Sequence, residues 1–298
     1  MPRRYASRSI DHAVPGRHRR RLAGVLIMSR IRWFKFAAPA HFHALTGTLL
    51  PWLWAAALAF TATGLYVGFV IAPPDYQQGD SYRIMWLHVP AAWMAMLAYF
   101  LMAGYGLIHL VWRIKLARIM ASALAPTGLL FAFLALWSGA LWGKPTWGAY
   151  WVWDARLTSS LILLFLYLGY LALDSAFEDR ERSGQAASLL AVVGVINLPI
   201  IYFSVQWWNT LHQGASITLS EAPTMSASML AALLLTTVGC WAYTAAAALH
   251  RARSMVLEQA GNSHWVRRLR QGHRPAAARG RPARLAATPI GDLLGRRP

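Results

Sequence analysis

The sequence predicts an all-α, polytopic membrane protein with six transmembrane helices and both termini in the cytoplasm. The 298 residues are 57% hydrophobic and only 13% charged, about half the charged fraction of a typical soluble domain. Six apolar runs each come near the ~20 residues that a helix needs to cross a bilayer. The runs are continuous rather than alternating, which favours helices over a barrel.

The six runs divide the chain into three regions. A basic amino-terminal segment, residues 1–48, precedes a membrane domain, residues 49–249. A basic tail, residues 250–298, follows it, and we expect this tail to be mostly disordered, with a short helix around Met255–Leu269 on anionic lipid. The predicted spans are Leu49–Ala72, Val89–Val111, Ala121–Leu141, Thr158–Leu173, Ala186–Tyr202 and Met225–Leu249.

The basic residues predict how the spans are oriented. All but three of the 29 Lys and Arg residues lie in the amino-terminal segment, the second and fourth connections, or the tail. Basic connections stay on the cytoplasmic side of a membrane, so the first, third and fifth connections are expected to face outward. The outward face carries Arg83, Lys144 and Arg156. A net charge of +18 distributed in this way argues against nucleic-acid binding.

The third connection is a tryptophan-rich outward loop, residues 142–157, which looks too polar and too broken to continue either neighbouring run as a helix. Clustered indoles are typical of an aromatic belt at a membrane interface. They also suit a large, flat, apolar ligand, because rigid rings bury much area at little entropic cost. Asp154 stands where it can cap the fourth helix. The tryptophans of interest are Trp142, Trp147, Trp151 and Trp153.

Two histidines share the outward face with this loop. His88 follows the first connection and His212 lies in the fifth, whereas the other eight histidines fall on the cytoplasmic side or in the tails. Two histidines from separate segments match an axial pair on the faces of a porphyrin. Zinc is less favoured, because no cysteine and no third histidine lie there. Arg83 and Arg156 suit the two propionates of a haem, or salt bridges within the loops, such as Arg156 with Asp154.

Several function classes lack their sequence signals. The apolar runs are nearly free of charged residues, which argues against a pump or a secondary transporter. The chain has no phosphate-binding glycine loop that ends in Lys-Ser/Thr, and no Ser/His/Asp set on one face that would indicate a hydrolase. Asn197 and Pro199 form a polar break that predicts a local kink in the fifth span. A binding protein is therefore favoured over an enzyme.

A longer pattern gives the chain a family resemblance. Trp147–Asp154 fits W-G-x-x-W-x-W-D, and Tyr82–Ala92 and Trp207–Gly214 carry further matching residues. On these residues the chain resembles the haem-handling membrane proteins of cytochrome c maturation, and among them the CcmC family. The resemblance runs from about Pro51 to Leu249 and leaves out both tails.

The resemblance implies a concrete function. The family's two outward histidines are axial ligands of haem iron, which carries over to His88 and His212, while the signature loop holds the porphyrin of haem b. It implies that haem is presented at the periplasmic face of the bacterial inner membrane to the chaperone CcmE, which attaches covalently to a vinyl group. Besides lipid, the expected partners are CcmD and the ATP-binding-cassette pair CcmA and CcmB. The alternative is a transporter subunit that moves haem or another apolar molecule across the membrane.

Overall fold

The computed structural model describes residues 38–208, 210–212, 217, 223–261 and 263–272. Six spans in this part of the chain are helical, long and apolar enough to cross a membrane. The predicted all-α, polytopic fold class is therefore confirmed. The expectations for residues 1–37 and for the tail beyond residue 272 lie outside the described residues.

The helices are α1 (Pro39–Tyr66), α2 (Met85–Trp112), α3 (Lys115–Trp147), α4 (Ala155–Ser175), α5 (Arg180–Gly194), α6 (Asn197–Trp207), α7 (Ala227–Gln259) and α8 (His264–Gly272). A π-helical turn, Val67–Ile71, extends α1, and a 3₁₀ turn, Asp80–Ile84, leads into α2. Two compact units divide near Val256, and α8 belongs to the second.

Several helices are longer than the apolar runs that predicted them. Helix α1 begins at Pro39, inside the predicted amino-terminal segment, because proline fits the first turn of a helix. Helix α7 continues past the expected end at Leu249, and its arginines bond to neighbouring helices. The Arg253 Nε donates to the His43 Nε2 at 2.9 Å, and the Arg251 Nη1 donates to the Thr127 hydroxyl. The apolar runs in the sequence therefore predict the middle of each helix better than its ends.

The fifth span is broken where the polar pair predicted a kink. Helix α5 ends at Gly194, and α6 begins at Asn197. The Asn197 amide donates to the Ser159 carbonyl of α4 at 2.9 Å, so the polar side chain is satisfied across the break. Pro199 lies in the first turn of α6, where its missing N–H costs no hydrogen bond.

The centre of the bundle is formed mainly by α2, α3, α4 and α5. Its largest buried side chains include Tyr99 and Tyr167, whose rings pack edge to face with centroids 5.1 Å apart. The Tyr167 hydroxyl donates to the Ala95 carbonyl at 2.8 Å. Gly128 lies against that hydroxyl, and a Cβ there would collide with it. This packing fixes α2, α3 and α4, the helices that carry most of the candidate site.

Candidate functional site

A cavity of about 560 Å³ lies at the end of the bundle where the first, third and fifth connections meet. Its volume falls within the roughly 300–1,000 Å³ of small-molecule and cofactor pockets. Apolar side chains from α2 and α7 form much of its wall, among them Val89, Trp93, Met96, Met229 and Leu233. The residues expected from the sequence that line it are His88, Trp142, Trp147, Arg156 and His212.

His88 lies in the first turn of α2, slightly further into the helix than the sequence indicated. Its Nδ1 is 3.0 Å from the Ala135 carbonyl and 3.2 Å from the Ser138 hydroxyl, both on α3. A carbonyl only accepts hydrogen bonds, so Nδ1 carries the proton and Nε2 keeps a free lone pair. Gly139 makes room for the ring, since a Cβ there would lie 2.8 Å from the His88 Cε1.

His212 is held by a carboxylate instead of a carbonyl. Its Nδ1 lies 3.3 Å from the Asp154 Oδ2, and the two side chains are only 16% and 9% exposed. The other oxygen of Asp154 accepts from the Leu157 N–H at 2.7 Å, so Asp154 caps α4 as predicted. The Trp147 indole packs against the His212 ring with centroids 4.6 Å apart. The carboxylate orients the ring and again leaves Nε2 available.

The surroundings of His212 keep its imidazole neutral. Burial is the main cause that lowers the pKa of His212 from its ordinary value, and the nearby Arg156 charge lowers it further. Asp154 acts in the opposite direction, through its charge and its hydrogen bond. The neutral imidazole is the form that can donate a lone pair to a metal.

The two arginines that the sequence places on the outward face, Arg83 and Arg156, take different positions. Arg156 lines the cavity and is half-buried. Its guanidinium forms no hydrogen bond or ion pair with the described residues, including the one considered with Asp154. Arg83 instead donates through Nε to the Asp80 carboxylate at 2.7 Å. Its remaining donors bond the carbonyls of Gly68, Phe69 and Ala72. Arg156 therefore has free donors for a carboxylate, whereas Arg83 ties the first connection to the end of α1.

The tryptophan-rich segment is helical further than expected. The prediction that a loop begins at residue 142 is wrong, because α3 continues through Trp147. Pro145 removes one backbone donor, but the helix persists to Trp147. The Thr146 hydroxyl bonds the Trp142 carbonyl at 2.7 Å within the same turn. Gly148 ends it with φ 78°, a left-handed conformation that glycine adopts without strain. Trp142 and Trp147 are thus fixed on a helix beside the cavity.

Trp151 and Trp153 lie beyond the end of α3. Their rings pack edge to face with centroids 5.4 Å apart, and Trp153 is 78% exposed. Neither lines the cavity. The Trp151 Nε1 is buried and has no partner among the described residues. The four indoles therefore form an inner pair beside the cavity and an outer pair away from it.

Sequence reasoning missed the groups that hold His88. Ala135 and Ser138 are 47 and 50 residues away from it along the chain. Gln78 was also missed, although its Oε1 accepts from the Trp142 Nε1 at 2.8 Å. The one available signal was a small, weakly polar Ser138-Gly139 pair inside an otherwise apolar run.

Comparisons with known proteins identify the family of this chain. The CcmC family, described as "Heme exporter protein C", matches residues 32–267. A "Heme exporter protein C" of Escherichia coli K12 is 45% identical over 79% of this chain and 95% of its own length. Its namesake from Bradyrhizobium diazoefficiens is 52% identical over 66% of this chain and 75% of its own. A "putative cytochrome c biosynthesis ccmC-like mitochondrial protein" of Marchantia polymorpha is 48% identical over 53% of this chain and 67% of its own. The chain belongs to the CcmC family.

Proposed function

We propose that this protein binds haem b at the periplasmic face of the bacterial inner membrane and presents it to CcmE for covalent attachment during cytochrome c maturation. One observation carries the proposal. Two imidazoles from separate elements, His88 and His212, border one cavity, and each has its Nδ1 held by an acceptor. Relatives named for haem export and for cytochrome c biosynthesis support the same cargo.

The residues around the cavity fit a haem. His88 and His212 would supply the two axial nitrogens, which is a common ligand set for haem iron. Trp142, Trp147 and the apolar wall would pack against the porphyrin, and Arg156 would pair with a propionate. Haem is the cargo in this proposal, and the protein is a transfer protein rather than an enzyme.

The outer residues take supporting roles in the proposal. Arg83 holds the first connection in place through its bonds to the end of α1. Trp153 is 78% exposed and does not line the cavity, and it belongs to the surface that meets CcmE, because exposed aromatic rings are favoured anchors in protein interfaces. Trp151 supports that surface by packing edge to face against Trp153. CcmD and the ATP-binding-cassette pair CcmA and CcmB complete the assembly, and nucleotide hydrolysis falls to that pair.

The alternative, a transporter subunit, needs a passage between the two ends of the bundle. The middle of the bundle is instead filled by large side chains that are at most 1% exposed, namely Met94, Tyr99, Met102 and Tyr167. The cavity lies at one end only of this packed core. Capture and hand-off at that end is therefore favoured over translocation by this chain alone.

The test measures both the haem bound to this protein and the haem attached covalently to CcmE. When the protein is co-expressed with CcmE, CcmD, CcmA and CcmB, we expect the purified protein to carry a six-coordinate haem pigment and CcmE to carry covalent haem. Trp153→Ala is expected to lower haem labelling of CcmE more than it lowers the pigment, because its ring is exposed away from the cavity. Trp52→Ala, which removes a 75% exposed indole from α1, is the matched control and should change neither. Haem-labelled CcmE alongside a protein that never carries pigment would contradict the proposal.

A second prediction concerns the space beside His88. Gly139→Ala is expected to lower haem retention sharply, because the added Cβ would lie 2.8 Å from the His88 Cε1 and must push the ring aside. Gly104→Ala is the control, since a Cβ at that helical glycine meets nothing within 4 Å. The ratio of haem absorbance to protein absorbance measures the effect. Equal ratios in the two variants would show that the ring position does not matter.

A further inference from the structure

The first connection contains a tight turn that we call the strap, residues Asp75–Gly79. Asp75 and Gly79 exchange backbone hydrogen bonds of 3.1 and 2.9 Å. The Asp75 Oδ1 also accepts from the backbone N–H groups of Gln77 and Gln78, at 2.9 and 2.8 Å. Gly79 has φ 57°, which a residue with a side chain rarely adopts. The strap is thus held in one shape by its own backbone and by one carboxylate.

The two ends of the strap are held to each other and to the end of the first span. The hydroxyl of Tyr82, which follows the strap, donates to the carbonyl of Pro73, which precedes it, at 2.7 Å, and the Tyr82 side chain is almost fully buried. Arg83 donates to carbonyls at the end of the first span, including that of Ala72. The backbone of the strap therefore has little freedom to follow a side chain that moves.

One side chain of the strap reaches across to α3. The Gln78 Oε1 accepts from the Trp142 Nε1 at 2.8 Å, and this is the single donor that an indole possesses. The Trp142 ring in turn packs edge-on against the His88 ring, with centroids 5.6 Å apart and planes at 77°. Gln78, Trp142 and His88 therefore form a continuous chain of contacts from the strap to the imidazole.

The contacts around the His88 ring leave it free to rotate only about its tethered Nδ1 corner. The bond from Nδ1 to the Ala135 carbonyl fixes one corner of the ring, and Gly139 permits close approach on one side. The Trp142 ring packs against another side of the His88 ring. If Trp142 loses its hydrogen bond it can turn about its own side-chain bonds, and the His88 ring can then pivot about its tethered corner.

We propose that Gln78 is a positioning residue, which fixes the Trp142 ring and thereby sets the angle of the His88 imidazole plane. This inference rests on the proposed function, in which His88 binds haem iron. Gln78 acts on the iron only through its two neighbours. Loss of its hydrogen bond should change the ligand geometry before it changes the fold, because the strap keeps its own backbone bonds.

The test compares two glutamines that each make one side-chain hydrogen bond. Gln78→Leu removes the acceptor for Trp142. Gln185→Leu removes a 3.2 Å bond to Glu181 on α5, and Gln185 does not line the cavity. In the purified ferric protein, Gln78→Leu is expected to shift the low-spin electron paramagnetic resonance signals, which report the orientation of axial imidazole planes. Its haem retention should fall roughly three- to tenfold, as expected for one hydrogen bond. Gln185→Leu should match the wild type in both measurements.

Two more variants separate positioning from general damage. Gln78→Glu keeps an acceptor for the Trp142 N–H and should restore the wild-type signals. Trp142→Phe removes the donor but keeps a ring, so it should reproduce the shift, and adding Gln78→Leu to it should cause no further change. If Gln78→Leu fails to accumulate in the membrane, Gln78→Met, which also lacks an oxygen acceptor, replaces it in the test.

Each outcome bears on one claim. Unchanged signals in Gln78→Leu, or an equal shift in Gln185→Leu, would overturn the positioning role while leaving haem binding intact. A wild-type protein without haem, or a His88→Ala variant with unchanged signals, would instead overturn the proposed function. A shift confined to Gln78→Leu and Trp142→Phe, and reversed in Gln78→Glu, supports the positioning role.

Discussion

The His88→Ala, His212→Ala double variant is expected to emerge from purification almost free of haem, whereas each single variant keeps some haem with an altered spectrum. Under the proposed function, a single remaining imidazole would still bind iron from one face, and the tryptophans and apolar wall would still hold the ring. Losing both nitrogens would leave only packing and a propionate contact. The absorption spectrum of the purified protein, before and after reduction, measures both the amount of haem and its ligation.

The control for this prediction changes two other histidines. His41 and His250 are exposed in α1 and α7 and do not line the cavity, so His41→Ala, His250→Ala should keep the wild-type spectrum. Equal haem content and identical spectra in both double variants would show that the axial assignment to His88 and His212 is wrong.

Replacing Asp154 is expected to give the second large effect, because its carboxylate both caps α4 and orients His212. In Asp154→Ala the cap of α4 is lost, which costs about 1 kcal/mol, and His212 loses the acceptor that orients it. Removing such a partner of a metal ligand typically lowers metal affinity about 10- to 100-fold. Asp154→Asn keeps oxygen for the cap, so it should spare stability while still weakening ferric haem binding, because the negative charge is gone. Haem titration and thermal unfolding separate the two losses.

Asp179 provides the matched comparison. Its Oδ1 accepts from the Glu181 N–H at 2.9 Å and caps α5, and the loop where it lies joins α4 to α5, away from the cavity. Asp179→Ala should therefore lose a similar amount of stability without losing haem affinity. If Asp154→Ala and Asp179→Ala weaken haem binding equally, the bond between Asp154 and His212 has no special role.

Composition and charge were sufficient to predict the six spans and to predict that His88 and His212 lie at the same end of the bundle. These features depend on properties that act along the chain, namely the length of apolar runs and the places where they stop. The kink at Asn197 and the cap at Asp154 were equally visible, because each is a local preference of one side chain.

The sequence did not predict which of several similar residues line the cavity. Arg83 and Arg156 looked equivalent as propionate partners, yet the donors of Arg83 bond to carbonyls that the bend of the first connection brings close. Trp142 and Trp153 looked equivalent as indoles, yet only the first lies on α3 beside the cavity. Gln78 and Trp142 are 64 residues apart. Such a bond depends on tertiary packing, and no local sequence pattern predicts it.

The two histidines belong to different parts of the chain. His88 is carried by a helix of the packed bundle, whereas His212 lies in the connection between α6 and α7. An iron bound between them would link the packed bundle to this connection. Asp154 and Trp147 already hold the His212 ring before any iron is bound, so haem binding would cost little further ordering of that side chain.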